Sequence, residues 1–402
     1  MSTSTVALPD RRRDDTVVLP TERTRALASA VPWYVWTAVL AVASGVIGAH
    51  WDISWHRTIG RDTFWSPPHF AIYAKGVLAG LTFGYLILHT TFARRDAPEV
   101  ISIWGLRGPL GAFIAAWGGI MMLWSGPFDD WWHQAYGLDV KIVSPPHVIL
   151  LLGSYAVTFG AIVLVQALRA RVPSSDDARR RALVLPLLIL GGASLIEVLI
   201  LQMEWIFPLH QHSATFYRAL AVSIPAVLCA FSITTGHRWA CTIVAGIYTA
   251  FMLTLMWALP LFPAEPKLGP VYQHVTHFIP NGFPLLLIVP AIVMDLVLRR
   301  LADRNRWLIA LAAGPIFVIV FMAAQWPFAT FLMSPAARNA IFGSHYFSYA
   351  LSPTSYSATY RFYPAEASPA EFWRVLGMAL LFAPLSARVG LGVGQWLRRI
   401  KR

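Results

Sequence analysis

Charge is scarce in this chain, and thiols scarcer. Of 402 residues only 13% are Asp, Glu, Lys or Arg, while 56% are hydrophobic. The mean hydropathy of +0.55 is too high for an ordinary soluble domain. Two cysteines, Cys229 and Cys241, form no Cys-rich metal motif, and neither thiolate catalysis nor a disulfide framework is expected of them. No haem, flavin or iron–sulfur motif occurs, so any electrons must come from outside the chain. The N-terminal stretch has no small-residue cleavage site after a short apolar core, so the first apolar run reads as a retained helix.

Long apolar runs are what remains. Ten approach the length that crosses a hydrocarbon core of about 30 Å: roughly 32–50, 69–93, 107–126, 146–168, 182–202, 217–235, 239–262, 283–298, 307–329 and 372–392. The fold class expected is an all-α polytopic membrane protein of about ten transmembrane helices. The net charge of +12 does not indicate nucleic acid, because its distribution follows the membrane. With the N-terminus inside, most of the 32 Lys and Arg fall on one side, among them Arg11, Arg12, Arg13, Arg94, Arg95, Arg169, Arg171, Arg299, Arg300, Arg398 and Arg399. The positive-inside rule then puts both termini in the cytoplasm of a plasma (inner) membrane. Of the 12 histidines, all but His89 and His237 map to the opposite, extracytoplasmic ends.

One stretch is written twice. Asp52, Trp55, His56, Gly60 and Asp62 recur at a constant offset as Asp129, Trp132, His133, Gly137 and Asp139. Ser66-Pro67-Pro68-His69 recurs as Ser144-Pro145-Pro146-His147. The first four helices are therefore expected as two tandem hairpin repeats in parallel orientation. Three regions follow: a cytoplasmic polar tail over 1–30, a duplicated metal-binding helix-hairpin region over 31–170, and a six-helix membrane region over 171–402 with a long outer loop near 330–371.

The repeated residues have metal-ligand spacing. A carboxylate and an imidazole four apart share a helix face. Ser-Pro-Pro-His reads as a helix start, with Ser as N-cap, Pro in the first turn and His at the third position, leaning back toward the loop. Each hairpin thus offers one carboxylate and two imidazoles: Asp52, His56 and His69 in the first, Asp129, His133 and His147 in the second. Asp62 and Asp139 are candidates to orient an imidazole from behind. Lys75 lies six residues past His69, about 9 Å deeper at helical rise, and an intramembrane lysine needs a partner, for which Glu197 is the candidate. Further outer-face ligand candidates are Glu204, His210, His212, His274 and His277. Two imidazoles and a carboxylate leave copper, iron and zinc open.

At these residues the sequence resembles the C subunit of the copper membrane monooxygenases, the particulate methane and ammonia monooxygenase family. Asp52, Trp55, His56, Arg61, Asp62, Thr63, Pro67 and His69 fit that family's Asp-x3-His-x12-His context, and Asp129, His133 and His147 fit its second site with Asp in place of Asn. The resemblance covers about residues 45–165. It implies copper at both triads, with Asp52, His56 and His69 catalytic in O2-dependent hydroxylation of a small substrate. It also implies additional membrane-monooxygenase subunits and an external electron donor such as quinol. A rival expectation is a non-catalytic protein that binds or delivers extracytoplasmic copper or zinc.

Overall fold

A computed structural model describes residues 31–94, 99–137, 143–267, 275–337, 339–343, 362–363 and 365–401. The polar tail, Asp139, His274 and, within the expected loop at 330–371, residues 338, 344–361 and 364 lie outside these residues. Helices α1 (Trp33–Thr58) and α2 (Pro67–Phe92) form the first hairpin, and α3 (Leu110–Tyr136) and α4 (Pro145–Arg171) the second. A short α5 (Asp177–Ala182) leads into α6 (Val184–Leu201), followed by α7 (Ala214–Thr235), α8 (Ala240–Ala258), α9 (Ile288–Arg300), α10 (Arg306–Leu332) and α11 (Pro369–Arg399).

Nine helices among the described residues are long and apolar enough to cross a membrane, and large side chains such as Leu40, Leu81 and Leu381 stay exposed along them. An exposed apolar girdle of that kind belongs in lipid. The chain is an integral membrane protein. The expected tenth crossing over 283–298 is shorter: α9 starts only at Ile288, and the chain before it is not helical. Pro284 stands near the start of that run, and the amides that follow it find other partners. Leu285 N–H donates to Tyr248 Oη (3.0 Å) and Leu286 N–H to Gln325 Oε1 (2.8 Å), which makes non-helical backbone tolerable when it is buried in protein. The fold also departs from all-α in one hairpin, β1 (Ile101–Ile103) with β2 (Leu106–Gly108). Trp104 and Gly105 turn it at positive φ, so the third apolar run becomes helical at Leu110 instead of 107.

One buried core runs from Val31 to Ile400 and joins the first four helices to the rest. Arginines gather at one end of it. Arg171 contacts Glu99 (3.1 Å) and the Lys401 carbonyl (2.7 Å), and Arg169 donates to the carbonyls at the end of α7. The start of α1 and the end of α11 therefore share the arginine face, and the α1–α2 connection lies opposite.

Glycine sets how closely α3 and α4 approach. A Cβ on Gly111 would sit 2.3 Å from Gly160 O, and one on Gly118 2.6 Å from Gly153 O, so the two backbones touch directly. This contact holds Asp129 and His133 of α3 against His147 of α4. Replacing Gly118 with Val is expected to push the helices apart and destabilise the protein by about 1–3 kcal/mol or more. Thermal unfolding in lipid nanodiscs measures the loss, and an unchanged midpoint would show that the contact is not this tight.

Candidate metal centre

Asp52 and His56 lie on the last two turns of α1. The helix ends where Gly60, at φ 104°, reverses the chain, a conformation that costs glycine nothing. The reversal carries Asp62 back over the helix end. Ser66, Pro67, Pro68 and His69 occupy the N-cap and first three positions of α2. Ser66 does not cap its own helix. Its hydroxyl accepts from Thr63 N–H (2.8 Å) and so closes the loop in front of His69.

Four side chains converge there. His69 Nε2 is 2.8 Å from Asp62 Oδ2 and 3.4 Å from Asp52 Oδ1, while His56 Nε2 is 3.6 Å from both Asp52 Oδ2 and Asp62 Oδ2. Asp52, Asp62 and His69 offer ligand atoms that all lie within 4.8 Å of one another. His69 Nδ1 faces the Phe64 carbonyl at 3.3 Å; donating there leaves Nε2 as the ligating nitrogen. Tyr73 Oη donates to the same carbonyl (3.0 Å) and fixes it. Burial pushes the Asp62 carboxyl up, but its hydrogen bond with His69 and the charge of His56 outweigh burial and hold it below the ordinary carboxylate range.

The second triad repeats the plan more loosely. His133 Nε2 is 3.4 Å from Asp129 Oδ2 and His147 Nε2 is 3.5 Å from Asp129 Oδ1. Gly137, again at positive φ, ends α3, and its carbonyl faces His133 Nδ1 at 3.3 Å. Tyr73 and Phe64 separate the two centres: a Cβ on Gly126 of α3 would meet both rings at 3.2–3.4 Å. The centres are close enough for Asp129 to feel the charges of Asp62 and His69.

Both carboxylates have an oxygen that nothing satisfies. Asp52 Oδ1 and Asp129 Oδ1 are buried without a hydrogen-bond partner, although an imidazole stands 3.4–3.5 Å from each. Buried acceptors are normally paired. Four ligands at about 2.0–2.1 Å from a tetrahedral ion stand about 3.3 Å apart, close to the separations seen in both triads. The residues present fit a small transition-metal ion.

Several expected positions serve otherwise. Asp62 faces the ligating nitrogen of His69, not the rear of the ring, where its carboxylate could also serve as a donor. Lys75 and Glu197 do pair with each other, but inside the helix bundle, where Lys75 bonds Ser154 and Thr158 and not the triad residues. Glu204, His210, His212 and His277 join neither triad. His212 stacks between Trp326 (4.2 Å) and Phe362 (3.7 Å) and donates to the Trp326 carbonyl (3.0 Å); burial pushes this imidazole below the ordinary histidine value. The segment after His277 braces the first centre from behind. Ser54 Oγ donates to Ile279 O (2.6 Å), Arg57 to Pro280 O (3.2 Å), and Ile279 N–H to Thr58 Oγ1 (2.8 Å). The periodicity of α1 gave no sign of that brace, because its partners lie more than 200 residues away. Compared with protein-family models, with curated proteins and with solved structures, the chain has no match.

Proposed function

We propose that the chain is a copper-dependent membrane monooxygenase-like protein that hydroxylates a small substrate with O2 at the extracytoplasmic face of the plasma (inner) membrane. The observation that carries this reading is the convergence of Asp52, His56, Asp62 and His69 around an unsatisfied Asp52 oxygen. For a fixed set of nitrogen and oxygen donors, affinity along the divalent series peaks at copper, and the motif resemblance points the same way. The arginine face at the opposite end supports an extracytoplasmic centre.

Asp52, His56 and His69 would hold the copper, which would supply dioxygen activation once reduced. The residues around it do the rest. Asp52 stands between the two imidazoles, His69 is locked through the Phe64 carbonyl, and the Tyr73 ring lies beside His69 with Phe64 packed against it. Electrons enter from an external donor such as a quinol, through further membrane-monooxygenase-type subunits. The exposure of His56, about half (48%), and of His147, about a third (32%), favours a second reading, in which the chain binds copper or zinc and passes it on.

O2 uptake by purified protein in nanodiscs separates the two. Uptake that requires copper, a reductant and a small substrate is the expected result. A folded, copper-loaded protein that consumes no O2 with partner subunits supplied would leave metal binding or delivery as its role.

A further inference from the structure

The arginine face carries one cluster of charge that the fold holds together without a carboxylate. Arg169, near the end of α4, spends both terminal nitrogens on the end of α7, donating to Thr234 O (2.8 Å) and Thr235 O (2.8 Å). Arg180 of α5 and Arg398 of α11 stand close enough for their charges to be felt at Arg169. The chain keeps them there. Arg171 donates to Lys401 O (2.7 Å) just past Arg398, and only the link from Val172 to Asp176 separates α4 from α5.

Among the described residues none of the three is ion-paired, since Arg171 takes Glu99 and Arg181 takes Asp177. The carbonyl end of α7 offsets Arg169 by roughly half an elementary charge, so most of the cluster's charge is uncompensated. The side chains of Arg180 and Arg398 make no hydrogen bond among the described residues, and Arg398 is exposed. A lipid-facing pair adjoins the cluster. Trp396, two residues before Arg398, stacks on Phe159 of α4 (ring centroids 5.9 Å apart, planes 3° from parallel), and both rings are exposed. The seam between α4 and α11 thus joins a cationic head to an aromatic flank.

That pattern selects its occupant. A guanidinium fork matches phosphate oxygens in a bidentate way, and basic pockets between membrane helices recognise acidic head groups. Free phosphate would meet the arginines but leave the aromatic pair unused. The polar tail over 1–30 fits no better, because its five arginines outnumber its four carboxylates. A zwitterionic lipid has the phosphate but adds an ammonium that the cluster repels. We propose that the α4–α11 seam binds an anionic phospholipid, whose phosphate sits between Arg180 and Arg398 over the fixed charge of Arg169 and whose acyl chain lies along Trp396 and Phe159. In the orientation proposed above, this lipid belongs to the cytoplasmic leaflet. The site needs no metal, so metal-free protein tests it apart from the copper reading.

Phosphatidylglycerol and phosphatidylcholine with identical acyl chains make the test, because only the first is anionic. Native mass spectrometry of the metal-free full chain, titrated with each, should show phosphatidylglycerol held about thirtyfold more tightly, at about fivefold for each unpaired arginine. Arg180→Gln and Arg398→Gln should each cost about fivefold, and the double variant should hold both lipids alike. Arg300→Gln with Arg304→Gln is the control. It removes equal charge at the end of α9, which reaches the same face through Asp295 at the start of α8, and should leave the preference intact. Equal affinity of the unmodified protein for the two lipids overturns the proposal. So does an equal loss in the control, which would mean diffuse attraction to the whole face. Displacement of the bound lipid by inorganic phosphate at matching concentration overturns it too.

Discussion

Alanine at His69 will empty the first centre of metal, whereas alanine at His56 will weaken it. The two imidazoles are not equivalent. His69 is 13% exposed, lies within 3.4 Å of both Asp52 and Asp62, and is locked through Nδ1 to Phe64 O. His56 is 48% exposed and stands 3.6 Å from each carboxylate. Losing a residue that only orients a ligand typically costs about 10–100-fold in metal affinity, so losing the locked ligand should cost more than about 100-fold. Asp62 separates the two roles. Asp62→Asn should fall in the range of an orienting residue if the carboxylate only holds His69, and approach the His69→Ala loss if it binds the ion. Competition against a chelator, read by metal analysis, ranks the four variants His69→Ala, Asp52→Ala, Asp62→Asn and His56→Ala. Retention of metal by His69→Ala within a few-fold of the parent would remove the centre from this place in the fold.

Much of that centre was legible in the sequence because its rules are local. Asp52 and His56 meet through the spacing of one helix, and the Pro-Pro pair places His69 in the first turn of the next. The position of Asp62 was less legible, because it depends on a turn. Gly60 at φ 104° folds the loop back over the helix end, which moves the carboxylate from behind the ring to its ligating edge. Hydropathy located the crossings but not where the helix of the one over 283–298 begins, since it weighs Pro284-Leu285-Leu286-Leu287 by apolarity and cannot see that Tyr248 and Gln325 hold the amides of Leu285 and Leu286 outside a helix. Contacts between distant helices lay further out of reach. Glu197 was the candidate partner of Lys75 from depth alone, yet the shared Ser154 and Thr158 hydroxyls, and with them the whole buried cluster, appear only once α2, α4 and α6 pack together.

That cluster should show the largest stability effect in the molecule. Lys75 is fully buried, its stem lies against Gly45, where a Cβ would come within 2.2 Å, and its ammonium is paired with Glu197. Lys75→Met keeps most of the stem volume and removes the charge, which leaves Glu197 buried without its counter-ion. Removing one partner of a buried pair typically costs about 3–5 kcal/mol, while replacing both by apolar groups is often neutral. Lys75→Met is therefore expected to destabilise strongly, and Lys75→Met with Glu197→Leu to recover most of the loss. Thermal and denaturant unfolding in the same lipid give the double-mutant cycle. A single variant within about 1 kcal/mol of the parent, or a double variant as unstable as the two singles combined, would contradict a buried ion pair. Metal affinity at the first centre should stay unchanged in Lys75→Met, because the ammonium touches Ser154, Thr158 and Glu197 and none of Asp52, His56, Asp62 or His69. Stability lost with affinity kept would establish the pair as the brace between α2, α4 and α6, and the triad above it as a separate device.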